Sequence, residues 1–192
     1  AVILFEETFF QKNSNDELLK EKLENISCYP GIKIDQGLEA FNKDSNETYT
    51  KGIETLDERL KPFAENGAKF TKWRGVINIG KNIPSNMCIE KNSSLLAEYA
   101  LISQNNKLVP IVEPEVIMNG EHNIDKCYEV TKETLNQVFN SLKEKNVDLK
   151  GMLLKPNMIV PGDKSGEKLN IKEIAEKTLE CLTKTVPQEV PG

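Results

Sequence analysis

Short apolar runs alternate with longer amphipathic stretches along the whole chain, and this alternation limits the possible folds more than any other feature. Reference positions in the five apolar runs are 29, 39, 41 and 42 residues apart; they are Leu4, Lys33, Lys72, Glu113 and Lys155. A strand and a helix repeated at this interval predict a parallel sheet with helical crossovers. Five units fit an open doubly wound sheet, and they fit equally a sector of an eight-stranded (α/β)8 barrel.

The hydrophobic periodicity places the elements within this single domain of residues 1–192. Strands are predicted at Val2–Phe5, Ile32–Asp35, Ala68–Ile79, Val109–Glu115 and Gly151–Leu154. Helices are predicted at Ile53–Glu65, Ser93–Gln104, Ile124–Lys145 and Ile171–Thr183, the last one N-capped by Asn170. Residues 17–25 are expected to form a helix or a long loop, and residues 42–50 a polar loop.

Composition excludes several classes of protein. The chain has 192 residues, 38% of them hydrophobic and 29% charged, which is ordinary for a soluble globular protein. Its net charge of −5 argues against a nucleic-acid binder. No apolar stretch is long enough to cross a membrane. His122 is the only histidine, so a metal site that needs two or three histidine ligands is not expected.

Cysteine usage and the two ends of the chain bear on its location and completeness. The four cysteines lie far apart without a CxxC pair, which fits reduced thiols in the cytoplasm better than a disulfide framework. Ala1 to Phe5 is too short for a signal peptide and runs into two glutamates. The chain begins inside a strand-like run and stops at Pro191-Gly192, so we expect a fragment or a processed piece.

Charged residues fall inside the predicted strands at an unusual spacing. Four successive strands each carry a polar pair two residues apart: Lys33 and Asp35, Lys72 and Arg74, Glu113 and Glu115, and Lys155 and Asn157. Residues at i and i+2 of a strand point to the same face. In a barrel such pairs converge near the carboxyl ends of the strands, where barrel enzymes keep their active sites.

Lys155 stands where an apolar run meets Pro156. An ordinary interpretation is a lysine that caps a strand and reaches solvent. The alternative is a lysine whose stem is buried and whose amine is kept uncharged by burial and by nearby cations, which makes it a nucleophile. The cations Lys33, Lys72 and Arg74 favour this alternative, and a cationic site suits an anionic substrate such as a phosphorylated sugar. Glu113 is then placed to move protons as a carbinolamine dehydrates.

Several motifs together resemble one family. Leu108-Val-Pro-Ile-Val-Glu-Pro-Glu is followed, 42 residues after Glu113, by the lysine of Leu153-Leu-Lys-Pro-Asn-Met. With Gly31-Ile-Lys-Ile-Asp, Phe70-Thr-Lys-Trp-Arg and Ile3-Leu-Phe-Glu-Glu-Thr, the chain resembles class I fructose-bisphosphate aldolases of the eukaryotic type over its whole length.

This resemblance implies an (α/β)8 TIM barrel, of which the chain covers about five βα units, strands two to six. It implies a lyase of glycolysis and gluconeogenesis that needs no metal or other cofactor. It also implies a cytoplasmic homotetramer that acts on a sugar phosphate and also binds cytoskeletal partners.

The same resemblance assigns roles to residues. Lys155 matches the Schiff-base lysine, and Glu113 matches the general acid and base. Lys72 matches a lysine that binds substrate and sets the charge of the glutamates. The other matched positions place substrate, hold charge balance or orient the Schiff base; they are Lys33, Arg74 and Glu115, of which Glu115 is expected to be catalytic. Asp35 lies at the matching strand end with a less defined role.

The chain also departs from the family pattern. Strand one, with an aspartate that assists carbon–carbon cleavage, and strands seven and eight, which grip a substrate phosphate, are expected to be missing, so the piece alone should be poorly active. Gln36 stands where relatives usually carry a lysine. Two alternatives remain: another Schiff-base sugar-phosphate aldolase, of the transaldolase or deoxyribose-phosphate aldolase kind, and a non-catalytic scaffold that binds the cytoskeleton.

Overall fold

A computed structural model describes residues 1–42 and 46–192. Its main feature is a five-stranded parallel sheet in the order β1-β2-β5-β6-β7. These strands are β1 Val2–Phe5, β2 Pro30–Lys33, β5 Phe70–Ile77, β6 Val109–Val116 and β7 Leu153–Leu154; β3, Leu38–Ala40, and β4, Thr48–Thr50, form a separate hairpin. Each strand of this sheet lies beside the sheet strand that follows it along the chain, with only the separate β3–β4 hairpin inserted after β2, whereas a doubly wound sheet reverses its order at a switch point. The strand order therefore favours the barrel sector.

Helices connect the strands. Their bounds are α1 Glu6–Phe9, α2 Leu19–Asn25, α3 Leu56–Glu65, α4 Asn86–Asn105, α5 Ile124–Glu144 and α6 Ile171–Thr185. Asn170 caps α6 as predicted, its side chain accepting a hydrogen bond from Glu173 N at 3.3 Å. Residues 149–151 form a 3₁₀ turn before β7. None of the helices in the described ranges is long and apolar enough to span a membrane.

Successive side chains of β5 alternate between the face of the sheet that packs on helix α4 and the opposite, polar face. Thr71 and Trp73 face α4, where the Trp73 ring stacks on Tyr99 with 5.4 Å between centroids. The Tyr99 hydroxyl lies 2.8 Å from Thr71 Oγ1, which satisfies both buried groups. Lys72 and Arg74 consequently point to the opposite side of the sheet, which is the inner side of a barrel.

The structure differs from the predicted elements at several boundaries. Helix α4 begins seven residues before the predicted Ser93, because Ser85 caps it by accepting a hydrogen bond from Cys88 N at 3.2 Å. Helix α1 was not predicted. Strand β7 is only two residues long, and Gly151 belongs to the 3₁₀ turn instead. Residues 17–25 contain a helix, α2.

The predicted loop at 42–50 is partly wrong. Thr48–Thr50 forms strand β4, which pairs antiparallel with β3, Leu38–Ala40. Residues 43–45 lie outside the described residues. The hairpin is held against the sheet by Thr50, whose hydroxyl donates to Arg74 O at 2.6 Å, and by Asn92, whose amide donates to Thr48 O at 2.8 Å. It therefore packs close to the polar ends of the strands.

Candidate active site

Glu113 is the centre of the polar cluster at the carboxyl ends of β5, β6 and β7. Its side chain is only 4% exposed, and two lysines reach it from the neighbouring strands. Lys72 Nζ lies 2.8 Å from Oε2, and Lys155 Nζ donates a hydrogen bond to Oε1. A buried carboxylate needs such partners to stay ionised. The strand pairing provides them, since β6 lies between β5 and β7.

A second ion pair lies one step further along the same two strands. Arg74 Nε donates to Glu115 Oε2, and both side chains are partly exposed. The i, i+2 spacing puts both cations and both carboxylates on one face of the sheet. The register places Arg74 opposite Glu113, so both ion pairs are diagonal: Lys72 reaches Glu113, and Arg74 reaches Glu115. The result is a short ladder of opposite charges across β5 and β6.

A third ion pair is formed within one segment. Lys33 Nζ lies 2.5 Å from Asp35 Oδ1, just beyond the end of β2. Lys33 is the register partner of Lys72 on β5, so this pair borders the Glu113 cluster. The Asp35 side chain is only 6% exposed, and its Oδ2 is buried without a hydrogen-bond partner among the described residues.

The charge state of Glu113 follows from two opposing effects. Burial acts to raise the pKa of its carboxyl, but the hydrogen bonds from Lys155 and Lys72 outweigh burial and hold the pKa below its usual range. Glu113 is consequently a carboxylate at neutral pH. A carboxylate in contact with an ammonium group can accept its proton, and the resulting acid can return that proton to a leaving hydroxyl.

Two expectations about the Lys155 segment are wrong. The Lys155 side chain is 56% exposed, not buried at its stem, because β7 is short and lies at the edge of the sheet. Asn157 does not share the face of Lys155. Its Oδ1 accepts a hydrogen bond from Val116 N at 3.1 Å, and its Nδ2 donates to Thr131 Oγ1 at 3.0 Å. The strand ends at Leu154, so the alternation of faces does not continue to Asn157.

The structure also reveals a group that the sequence interpretation missed. Arg59 in α3 reaches the end of β2 and donates to the carbonyl of Ile34, between Lys33 and Asp35. The sequence offered one indication of this role: Arg59 and Arg74 are the only two arginines in a chain whose other basic side chains are lysines, apart from one histidine. Within the described ranges, no three histidine, cysteine or acidic side chains are grouped so that they could hold a metal ion.

Comparison with known proteins places this geometry in a family. The family model "Fructose-bisphosphate aldolase class-I" matches residues 1–192. The chain is 46% identical over 192 residues to a probable fructose-bisphosphate aldolase class 1 of Xanthomonas axonopodis pv. citri, and covers 58% of that protein. It is 44% identical to the cytosolic fructose-bisphosphate aldolase 4 of Arabidopsis thaliana, and covers 49% of it.

A solved structure agrees with these relatives. The aldolase of Plasmodium falciparum, in complex with TRAP and a small-molecule inhibitor, superposes with a TM-score of 0.96 at 42% identity. That alignment covers 99% of this chain and 55% of the Plasmodium chain. The present chain thus spans about half the length of its relatives and has the fold of the corresponding part of an aldolase TIM barrel. It belongs to the class I fructose-bisphosphate aldolase family.

Proposed function

We propose that the protein cleaves fructose 1,6-bisphosphate reversibly into dihydroxyacetone phosphate and glyceraldehyde 3-phosphate, through an imine on Lys155. The contact between the Lys155 amine and the Glu113 carboxylate is the observation that carries this proposal. It joins a nucleophile to a group that can take its proton, and Lys72 holds the same carboxylate from the other side. Membership of the aldolase family supports the choice of substrate.

The contacts suggest an order of proton transfers. Glu113 accepts a proton from the Lys155 ammonium, and the free amine attacks the C2 ketone to give a carbinolamine. Protonated Glu113 then donates to the C2 hydroxyl, which leaves as water while the iminium forms. A carboxylate of the site then takes the proton of the C4 hydroxyl, the C3–C4 electron pair moves to the iminium to form an enamine, and glyceraldehyde 3-phosphate departs as the aldehyde. The proton returns to C3 of the enamine, and addition of water to the resulting iminium releases dihydroxyacetone phosphate and the amine.

The remaining charged residues fit the handling of a phosphorylated sugar. Lys33, Lys72 and Arg74 place three cations beside the proposed reaction centre. Three carboxylates, Asp35, Glu113 and Glu115, pair with cations of the site. We propose that substrate phosphate or hydroxyl groups exchange for these internal partners on binding, with Lys33, Asp35 and Arg74 as binding residues. Glu115 would keep Arg74 oriented.

Covalent trapping tests the proposal directly. Sodium borohydride added to the whole protein with dihydroxyacetone phosphate should reduce the imine and leave a stable adduct on Lys155, identified by peptide mass spectrometry. The Lys155→Arg variant, which keeps the charge, should not be trapped, whereas Lys150→Arg should be trapped normally. Labelling on another lysine, or no labelling of the unsubstituted protein, would contradict the proposal.

We also expect the protein to act in the cytoplasm as a homotetramer. The names of the Arabidopsis relatives as cytosolic enzymes support the location. The 192-residue chain alone should be poorly active, because β1 and β7 are the edges of the described sheet and edge strands favour aggregation. Sedimentation and assay of this chain beside the whole protein test both expectations.

A second, compatible role is binding to a protein partner, of which a cytoskeletal filament is one candidate. The structure of the Plasmodium relative in complex with TRAP supports the general idea that the fold binds proteins. Co-sedimentation of the whole protein with actin filaments, measured for the Lys155→Arg variant as well, separates filament binding from catalysis. Absence of co-sedimentation at physiological salt would remove this role.

A further inference from the structure

The end of β2 has a carbonyl group that the sheet does not satisfy. The β1–β2 ladder stops at the pair Phe5 and Lys33, because β1 turns into α1 at Glu6. The next residue, Ile34, still donates its N–H to Lys72 O at 3.1 Å on the β5 side. Its carbonyl accepts a hydrogen bond from Arg59 Nη2 instead of from a strand neighbour. The guanidinium therefore holds the backbone just beyond the end of β2.

The same guanidinium joins two other segments to this point. Arg59 Nη1 donates to Gly52 O at 3.0 Å, where the chain leaves the β3–β4 hairpin. Arg59 Nη2 also lies 2.7 Å from Glu6 Oε1 at the start of α1. The Arg59 side chain is largely buried, and its planar fork spreads several donors over these separated acceptors, whereas a lysine presents its donors from a single nitrogen.

Gly52, whose carbonyl accepts a hydrogen bond from Arg59, lies close to the guanidinium and has a backbone conformation that favours glycine. Gly52 has φ +104°, and a Cβ there would lie 3.0 Å from Arg59 Nη1 and 2.8 Å from Gln36 Cγ. A larger residue would strain the backbone and push the guanidinium away. The backbone beside Arg59 is therefore adapted to this contact.

Ile34 lies between the two members of the Lys33–Asp35 ion pair, which we have proposed as substrate-binding residues. Asp35 is nearly buried, and only one of its oxygens has a partner among the described residues. Few side-chain contacts therefore fix its direction, and the position of the backbone at Ile34 must do so. Arg59 holds that backbone at the Ile34 carbonyl, and Lys72 O holds it at the Ile34 N–H.

We propose that Arg59 is a positioning residue, which sets the direction of the Lys33–Asp35 pair toward the substrate by holding the Ile34 carbonyl. This inference rests on the proposed aldolase function. The hydrogen bonds of Arg59 go to Ile34 O, Gly52 O and Glu6, so it would act on the substrate only through the Lys33–Asp35 pair. Its loss should consequently weaken substrate binding more than it slows the covalent chemistry.

Steady-state kinetics of the whole protein test the inference. Arg59→Lys keeps the charge opposite Glu6 but loses the fork, and Arg59→Gln loses both. A shift of about 1 Å in a residue that positions substrate can lower catalytic efficiency by up to ~100-fold. We therefore expect KM for fructose 1,6-bisphosphate to rise about tenfold in both variants, with kcat within about threefold of the unsubstituted protein. Lys61→Gln, an exposed change on the same helix, should leave KM unchanged.

Further variants separate positioning from stability. Glu6→Gln removes the charge partner but leaves both carbonyl contacts, so KM should change by less than about twofold if the carbonyls matter. Gly52→Ala should raise KM in the direction of Arg59→Lys, which keeps the test available if Arg59→Gln does not fold. A KM that stays at the unsubstituted value in Arg59→Lys and Gly52→Ala, with losses only in Tm, would overturn the inference.

The trapping experiment distinguishes this inference from the proposed function. If the unsubstituted protein gives no adduct on Lys155, the aldolase proposal fails and this inference fails with it. If the adduct forms and the Arg59 variants bind substrate normally, only the positioning role of Arg59 is wrong. With saturating dihydroxyacetone phosphate, the Arg59→Lys variant should still be trapped on Lys155.

Discussion

Lys72 Nζ lies 2.8 Å from Glu113 Oε2, and both side chains are almost fully buried, with 11% and 4% of their surface exposed. A buried ion pair of this kind adds little stability compared with an apolar pair, yet it is costly to break from one side. Glu113 is shared with Lys155, so the pair also controls how much negative charge the proposed nucleophile meets. Stability and proposed chemistry are thus coupled through one carboxylate.

The first prediction concerns the loss of Lys72. Removing one partner of a buried pair costs roughly 3–5 kcal/mol, and because Lys155 still balances part of the charge we expect about 2 kcal/mol for Lys72→Met. Urea unfolding at pH 7 measures the change. Lys61→Met removes an exposed ion pair with Asp57 and should leave the free energy of unfolding nearly unchanged. Adding Glu113→Gln to Lys72→Met should recover part of the loss, and a strictly additive double variant would contradict the coupling.

The second prediction concerns acid. The pKa of Glu113 is lowered in the folded state from its ordinary value of 4.5, because the hydrogen bonds from Lys155 and Lys72 outweigh burial. Its contribution to stability is therefore complete above about pH 4.5 and is lost as the pH falls through the lower folded pKa. The free energy of unfolding of Glu113→Gln should depend less steeply on pH in that acid range. Glu129→Gln, at a mostly exposed position in α5, should keep the slope of the unsubstituted protein.

Much of this site could be predicted because it depends on local spacing. Residues two apart on a strand lie on the same face, so Lys72 shares a face with Arg74, and Glu113 with Glu115. The repeat of strand and helix makes β5 and β6 neighbours. These two facts bring the four side chains together without knowledge of loops. The resemblance to a family then supplied the expected barrel.

Other features depend on contacts that the sequence does not encode locally. The β3–β4 hairpin is held by groups that are distant in the sequence, such as Arg74 O and Asn92. The exposure of Lys155 reflects the short β7 at the edge of the sheet. The first turn of helix α4 contains the buried Cys88 and Ile89, but residues 90–94 are polar, so the apolar periodicity becomes regular only from Leu95. The hairpin and the exposure of Lys155 were tertiary effects, whereas the start of α4 is set by the local cap at Ser85.

The third prediction concerns thiol reactivity. Burial raises the pKa of the thiols of Cys88, Cys127 and Cys181, to about 12 for Cys88 and about 11 for Cys181. Since the thiolate is the reactive form, these three should be slow toward a disulfide reagent at pH 8. Cys28 is the one of the four that is only partly buried. Ellman's reagent should therefore titrate one fast thiol in the native protein and four in urea, and Cys28→Ser should remove the fast phase.

The last prediction concerns the contact between the loops that follow β6 and β7. Gly162 N donates to His122 O at 2.8 Å, and Lys164 N donates to Gly120 O at 2.9 Å, so the loop after Lys155 lies against the loop after Glu115. A Cβ at Gly162 would lie 2.2 Å from Gly120 O, an overlap with backbone that no rotamer change can relieve.

Gly162→Ala should consequently separate the two loops and destabilise the protein by about 2 kcal/mol, the usual cost of overpacking a tight site. Because these loops follow directly from the strands that carry Glu113 and Lys155, trapping by borohydride should also become slower. Gly166→Ala is the matched control: nothing lies within 4 Å of its added Cβ, and its φ of +73° should cost only about 1 kcal/mol. Equal losses of stability in the two variants, with equal trapping rates, would show that the loop contact does not position the site.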